Sequence, residues 1–141
     1  LRKKGRHRVK KVLILCTGNS CRSIIAEALI NSELGESVEA YSSGVSASGS
    51  VHPSAKKILK IHGIWEDDYH SKRLETVLGV DFDLVVTVCD HANQTCPVFP
   101  KTTPLVHLGF EDPDGGDDQA FELCFNQIKA RLLPFVRSAL T

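Results

Sequence analysis

Two short runs, Val12-Leu13-Ile14-Leu15 and Leu84-Val85-Val86-Thr87-Val88, constrain the fold most strongly. Both are too short for a core helix and rich in branched aliphatic residues, so they read as strands buried on both faces. The first strand is expected over Lys11 to Leu15. Ser23 to Leu34 then carries Ile25, Ala28 and Leu29 at helical spacing, and Gly35 marks its stop. A second strand is expected from Val38 to Ser42, followed by a Ser/Gly-rich loop from Ser43 to Ser50. Pro53 suits the first position of a helix from 53 to 61, which Gly63 ends. Residues 64 to 80 read as a connector with a short helix, and Leu105 to Leu108 as a fourth strand. From about Asp117 onward, Phe121, Cys124, Phe125, Ile128, Leu132 and Phe135 share one helical face, which Pro134 is expected to kink or interrupt. No internal repeat or low-complexity segment is visible. Strands alternating with helices predict an α/β fold: a small single-domain open parallel sheet of about four strands flanked by helices, with right-handed crossovers. Such sheets bind ligands in loops at the carboxyl ends of their strands.

The chain has 141 residues and is 42% hydrophobic, enough to bury a core without covalent staples. Every charged residue among the first eleven is basic (Arg2, Lys3, Lys4, Arg6, Arg8, Lys10, Lys11), which leaves the remainder acidic although formal net charge is zero. Residues 1–10 therefore read as a basic, flexible arm and 11–141 as the domain. The arm lacks interleaved aromatics, so a solvated tail fits it better than a surface for nucleic acid or anionic lipid. No apolar run approaches the roughly 18 residues of a membrane span, and the N-terminus lacks the apolar core of a secretory signal. Five cysteines, an odd number irregularly spaced, suit a reducing compartment better than a disulfide scaffold. A cytoplasmic protein is the expectation.

The first chemical signal is Cys16-Thr17-Gly18-Asn19-Ser20-Cys21-Arg22-Ser23, placed between the first strand and the first helix. A Gly-containing loop there aims successive backbone N–H groups inward and adds a helix N-terminus, which together make an anion cradle. Thr17, Gly18, Asn19, Ser20, Cys21, Arg22 and Ser23 are the candidate oxyanion-binding residues. The same positive field favours the thiolate of Cys16, the candidate nucleophile. The Arg22 fork suits two oxygens of a tetrahedral oxyanion, a bidentate grip lysine does not reproduce. Ser20 and Ser23 can steady the thiolate or the loop. The plain alternative, a buried strand-end thiol beside a surface arginine, leaves the Gly, Asn and Ser of this loop without a reason.

The second signal is Cys89-Asp90-His91-Ala92-Asn93-Gln94-Thr95-Cys96-Pro97, directly after the third buried strand and hence on the same sheet edge as Cys16. Cys89 and Cys96 could pair with each other, or one could attack an adduct on Cys16, as sequential thiol–disulfide exchange requires. Two unrelated thiols is the plain alternative. A zinc site with His91 fits none of the usual ligand spacings, and no metal is expected. The third signal is the loop Gly109-Phe110-Glu111-Asp112-Pro113-Asp114-Gly115-Gly116. A thiolate attacking a tetrahedral oxyanion needs a proton for the departing oxygen, and Asp112 is the candidate general acid, ahead of Glu111 and Asp114. His52, His62 and His107 lack spacing for a shared metal and read as surface or packing residues. Cys124 reads as a small core side chain.

Together these segments resemble the thioredoxin-coupled arsenate reductases, which share their fold with the low-molecular-weight protein tyrosine phosphatases. The resemblance runs from about Lys10 to the C-terminus. It is carried by residues 16 to 23, Ala26-Glu27-Ala28, Tyr41-Ser42-Ser43-Gly44, Asp83 to Cys89, Thr95-Cys96-Pro97 and Gly109 to Pro113. The nucleophile loop and Asp-Pro are common to both branches, and Cys89 with Cys96 separates them. The resemblance implies that Cys16, Arg22, Asp112, Cys89 and Cys96 are catalytic. It implies arsenate as substrate, phosphate or sulfate as competing oxyanions, a Cys16–Cys89 then Cys89–Cys96 disulfide relay, and thioredoxin as external reductant, without a tightly bound cofactor and as a monomer. Some relatives hold potassium with residues matching Asn19, Glu27 and Ser42 plus an acid. Lys72 stands near that acid's place, so no potassium site is expected. Phosphatase relatives often carry tyrosine after Asp-Pro, where this chain has Asp114 and Gly115. The competing readings are a protein tyrosine phosphatase using Cys16, Arg22 and Asp112, and an idle oxyanion-binding or thioredoxin-partner module.

Overall fold

The computed structural model describes residues 9–90, 92 and 103–141. Strand β1 spans Lys10–Cys16, helix α1 Arg22–Leu34, β2 Val38–Gly44, α2 Pro53–Ile61, β3 Leu84–Thr87, β4 Leu105–His107 and α3 Asp118–Leu140, with a 3-10 turn at Leu74–Thr76. All pairings are parallel and the strand order is β2-β1-β3-β4. The central position of β1 explains its uninterrupted apolar run: Val12, Leu13, Ile14 and Leu15 are fully buried. Burial of each such side chain stabilises the fold by about 1.5–3 kcal/mol. Edge strand β4 exposes nearly half of Leu105.

Several boundaries differ from the sequence expectation for physical reasons. β2 continues two residues past Ser42 because Ser43 and Gly44 still pair with Leu15 and Cys16. The Ser/Gly-rich loop therefore starts later. β1 itself begins at Lys10, inside the stretch read as arm. β4 ends one residue earlier than expected, at His107. Pro134 does not interrupt α3, which runs through it to Leu140. Leu132, Leu133 and Val136 are buried on both sides of the proline, so core packing holds the two halves in one helix.

Helix α1 packs against β1, β2, α2 and α3, so its first nine residues after Arg22 are nearly all buried rather than confined to a stripe. Helix α2 buries a single face instead, Ala55, Ile58 and Leu59. Its end is set by Gly63 at φ +74°, a left-handed conformation that lets Ile64 N bond Leu59 O at 2.9 Å. Among the described residues no helix is long and apolar enough to cross a membrane. The parallel sheet brings Cys16, Gly44 and the segments that follow Thr87 and His107 to one edge.

Candidate functional site

Cys16 is the last residue of β1, and the five residues after it form a closed loop leading into α1. The loop carbonyls turn outward: Cys16 O, Thr17 O, Gly18 O and Ser20 O accept from Val45 N, Ser46 N, Ser48 N and His52 N at 2.9–3.0 Å. Because C=O and the next N–H point opposite ways across a trans peptide, the N–H groups of Thr17, Gly18, Asn19 and Cys21 face inward. One of them, Asn19 N, lies 3.3 Å from Cys16 Sγ. Helix α1 adds its own N-terminus, which has neither a side-chain cap nor an acid in its first turn. Its orphan N–H groups thus remain available to an anion.

Asn19 organises the loop. It is fully buried and sits at φ +50°, a left-handed conformation that asparagine tolerates better than most residues. Its Oδ1 accepts from Lys72 N at 2.6 Å, which fixes the amide orientation so that Nδ2 donates to Ser23 Oγ at 2.7 Å. The Ser23 hydroxyl then keeps its own proton for Cys16 Sγ, 2.9 Å away. Two donors, one backbone and one hydroxyl, therefore converge on the Cys16 sulfur. Gly44 permits this closeness, since a Cβ there would stand 2.5 Å from Thr17 O and 3.1 Å from Asn19 Cβ.

Arg22 opens α1 and reaches across to the loop after β4. Its Nη1 donates to Phe110 O at 3.0 Å and Nη2 lies 3.4 Å from Asp112 Oδ2. Asp112 is half-exposed while the Arg22 side chain is largely covered. The other Asp112 oxygen, Oδ1, accepts from Asp114 N at 3.0 Å. The start of α1, Arg22 and the loop carrying Asp112 are thus joined. Cys89 follows β3, is buried, and places Sγ 3.2 Å from Thr17 Oγ1 and 3.4 Å from Ala92 N. The second thiol therefore touches the residue next to Cys16. Cys96, His91 and the rest of that segment, apart from Ala92, lie outside the described residues.

The other two described cysteines are of a different kind. Burial pushes the Cys21 thiol up to about 12, against a smaller opposing hydrogen bond from Ser20, and burial pushes Cys124 up to about 11. Both stay protonated at neutral pH and are poor nucleophiles. Cys21 contributes its backbone to the cradle rather than its sulfur. Beneath the loop, Lys72 Nζ lies 3.3 Å from Ser42 Oγ and 3.7 Å from Glu27 Oε1, and Ser42 Oγ donates to Glu27 Oε1 at 2.5 Å. The ammonium already sits among the groups that the sequence comparison associated with a cation. Among the described residues no group of three or more His, Cys, Asp or Glu could hold a metal.

The sequence and the fold both have counterparts among known proteins. The sequence pattern of the low molecular weight phosphotyrosine protein phosphatases matches residues 11–140. This chain belongs to that family. Within this phosphatase family it is 38% identical over 129 residues to an arsenate reductase of Brevibacillus brevis, covering 92% of this chain and 96% of the relative. Its fold matches a solved structure described as an arsenate reductase in the phosphate binding state, with TM-score 0.78, 28% identity, and 94% and 100% of the two chains covered. It also matches a thioredoxin-dependent arsenate reductase of Corynebacterium glutamicum, with TM-score 0.77, 28% identity, and 93% of this chain and 62% of that one covered. The four-stranded parallel sheet is thus the phosphatase-like fold expected from the sequence.

Sequence reasoning named Cys16, Arg22, Ser23, Asp112 and Cys89, which the fold gathers at one sheet edge. It did not single out the contact of Thr17 with Cys89, the backbone of Lys72, or Gly44 as part of the site. It read His52 as a surface or packing residue, yet His52 N holds Ser20 O of the loop. A His before the Pro that opens a helix was the available signal. His107 bridges Thr87 Oγ1 and Asp90 Oδ1 at 2.8 and 3.0 Å, and His62 stacks on Phe125 with ring centroids 4.0 Å apart.

Proposed function

We propose that this chain is a cytoplasmic, monomeric arsenate reductase working through a cysteine relay, with thioredoxin as the external reductant. The observation that carries the reading is Cys89 Sγ at 3.2 Å from Thr17 Oγ1, which sets a second thiol against the nucleophile loop. A phosphatase needs Cys16, Arg22 and Asp112 but has no use for that thiol.

The steps follow from the residues. Arsenate enters the cradle, where inward N–H groups and the Arg22 fork bind its oxygens. The Cys16 thiolate attacks arsenic, and Asp112 donates a proton to the departing oxygen, which leaves as water or hydroxide. Cys89 thiolate then attacks Cys16 Sγ: an S–S bond forms, the S–As bond breaks, and its electron pair reduces As(V) to As(III), released as arsenite. Cys96 attacks Cys89, freeing Cys16 and leaving a Cys89–Cys96 disulfide for a dithiol reductant. Phosphate and sulfate share the tetrahedral shape and compete for the cradle, but their central atoms accept no electrons here. Selection is made by the relay rather than by the loop.

The test is arsenate-dependent NADPH oxidation with thioredoxin and thioredoxin reductase, run beside hydrolysis of an aryl phosphate. Cys89→Ser should abolish sustained arsenate turnover while keeping aryl phosphate hydrolysis within about threefold of the parent, because Cys16, Arg22 and Asp112 are untouched. Sustained arsenate turnover by that variant would refute the relay. Absence of arsenate turnover in the parent, with aryl phosphate hydrolysed, would favour the phosphatase reading.

A further inference from the structure

The loop that carries Asp112 is held from a direction the relay does not involve. His52 precedes α2, and its Nδ1 accepts from Ser54 N at 3.1 Å, so the ring proton resides on Nε2. That nitrogen donates to Asp114 Oδ1 at 3.1 Å. Asp114 N in turn holds Asp112 Oδ1 at 3.0 Å. At its other end, His52 N donates to Ser20 O in the nucleophile loop at 2.9 Å. The imidazole rests on the fully buried ring of Phe121, centroids 4.7 Å apart. One residue therefore couples the nucleophile loop to the acid loop, standing on the rigid start of α3.

The acid loop needs such a tie. Asp112 and Asp114 are both more than half exposed, and Gly115 follows at φ +87° with open space around it. A general acid misplaced by even 1 Å loses much of its effect. We propose that His52, acting through Asp114, is a positioning residue that holds Asp112 in register with Cys16 for proton delivery to the departing oxygen. This deepens the arsenate reductase reading and rests on it.

Two single variants remove the tie from opposite ends. His52→Asn keeps an acceptor for Ser54 N, as asparagine is a favoured cap, but is too short to reach Asp114. Asp114→Ala removes the exposed acceptor and leaves the cap alone. In steady-state arsenate reduction each should lower kcat about tenfold while changing KM less than about twofold, and the double variant should match the singles. Asp114→Asn keeps an acceptor for Nε2–H and should recover most of kcat. Melting temperatures measured in parallel report any loss of fold. Unchanged kcat in either single, a loss confined to KM, or losses that multiply in the double would overturn the proposal. A second arm separates it from the functional reading. On aryl phosphates the deficit should be several-fold larger for phenyl than for 2,4-dinitrophenyl phosphate, since only the poorer leaving group needs the proton. Equal deficits overturn the positioning role even where arsenate is reduced, and unequal ones sustain it even where arsenate is not.

Discussion

Asn19 does more at the site than any other single side chain outside the reacting groups. It accepts from Lys72 N, donates to Ser23 Oγ, offers its own N–H to Cys16 Sγ, and bends the backbone through φ +50°. The side-chain and backbone contributions can be separated. Asn19→Gly keeps the left-handed turn and loses the two side-chain bonds, leaving Lys72 N and the Ser23 hydroxyl without those partners, at a cost of about 2–3 kcal/mol. Asn19→Ala loses the same bonds and also places a Cβ in left-handed backbone, adding about 1 kcal/mol. Urea unfolding should therefore rank wild type above Gly above Ala, and an Ala variant as stable as Gly would remove backbone strain from the account. In both, Ser23 loses the bond that orients its hydroxyl, so Cys16 should react more slowly with iodoacetamide at neutral pH than in the parent.

At the scale of elements, α1, β2 and the segment preceding the 3-10 turn meet at Glu27, Ser42 and Lys72. Burial raises the Glu27 carboxyl above its ordinary value of 4.5, with Lys72 and Ser42 opposing, and burial lowers the Lys72 ammonium despite the attraction of Glu27. The folded state thus holds the Glu27 proton more tightly than the unfolded chain does. Its contribution to stability is full below about pH 4.5 and is lost as pH rises through the raised native value. Lys72 has the opposite sense: its contribution is full above 10.5 and is lost as pH falls through the depressed native value. Glu27→Gln stays neutral throughout. The stability difference between wild type and Glu27→Gln should accordingly be most favourable to wild type near pH 4 and shrink toward neutrality, and a difference that grows over that range would contradict the burial argument. This cluster also shows the reach of sequence reasoning. Buried apolar runs, Pro53, Gly63 and the face from Phe121 to Leu132 made the elements legible, because each reflects a local periodicity or backbone preference. Cys16, Arg22 and Asp112 were legible because their chemistry and their position after a strand coincide. The bond from Asn19 to Lys72, the close packing of Gly44 on Thr17, and the contact from His52 to Asp114 depend on segments 27 to 62 residues apart in sequence, which no local pattern encodes. Pro134 does not end the helix for the complementary reason: packing on both sides of it outweighs the local break.

For the whole molecule, the parallel order β2-β1-β3-β4 turns four separate chain segments into one site, because every strand delivers its carboxyl end to the same edge. Cys16 ends β1, Gly44 ends β2, Cys89 follows β3 and Asp112 follows β4. An anion in the cradle should consequently bind only the assembled sheet edge, since its donors come from a loop whose outward carbonyls are fixed by the segment after β2. Anything that binds the native state alone stabilises it by RT ln(1 + [L]/Kd), about 2.7 kcal/mol at a hundredfold excess over Kd. Phosphate, tetrahedral and not reduced by thiols, is the suitable probe. Adding phosphate at constant ionic strength should raise the melting temperature by several degrees, and chloride at matched ionic strength should not. Arg22→Ala removes the fork yet leaves the loop amides, so it should keep only a small part of that rise. Arg22→Lys restores the charge without the planar fork and should recover little more. A phosphate shift unchanged in Arg22→Ala would place the anion somewhere other than the edge where the four strands end.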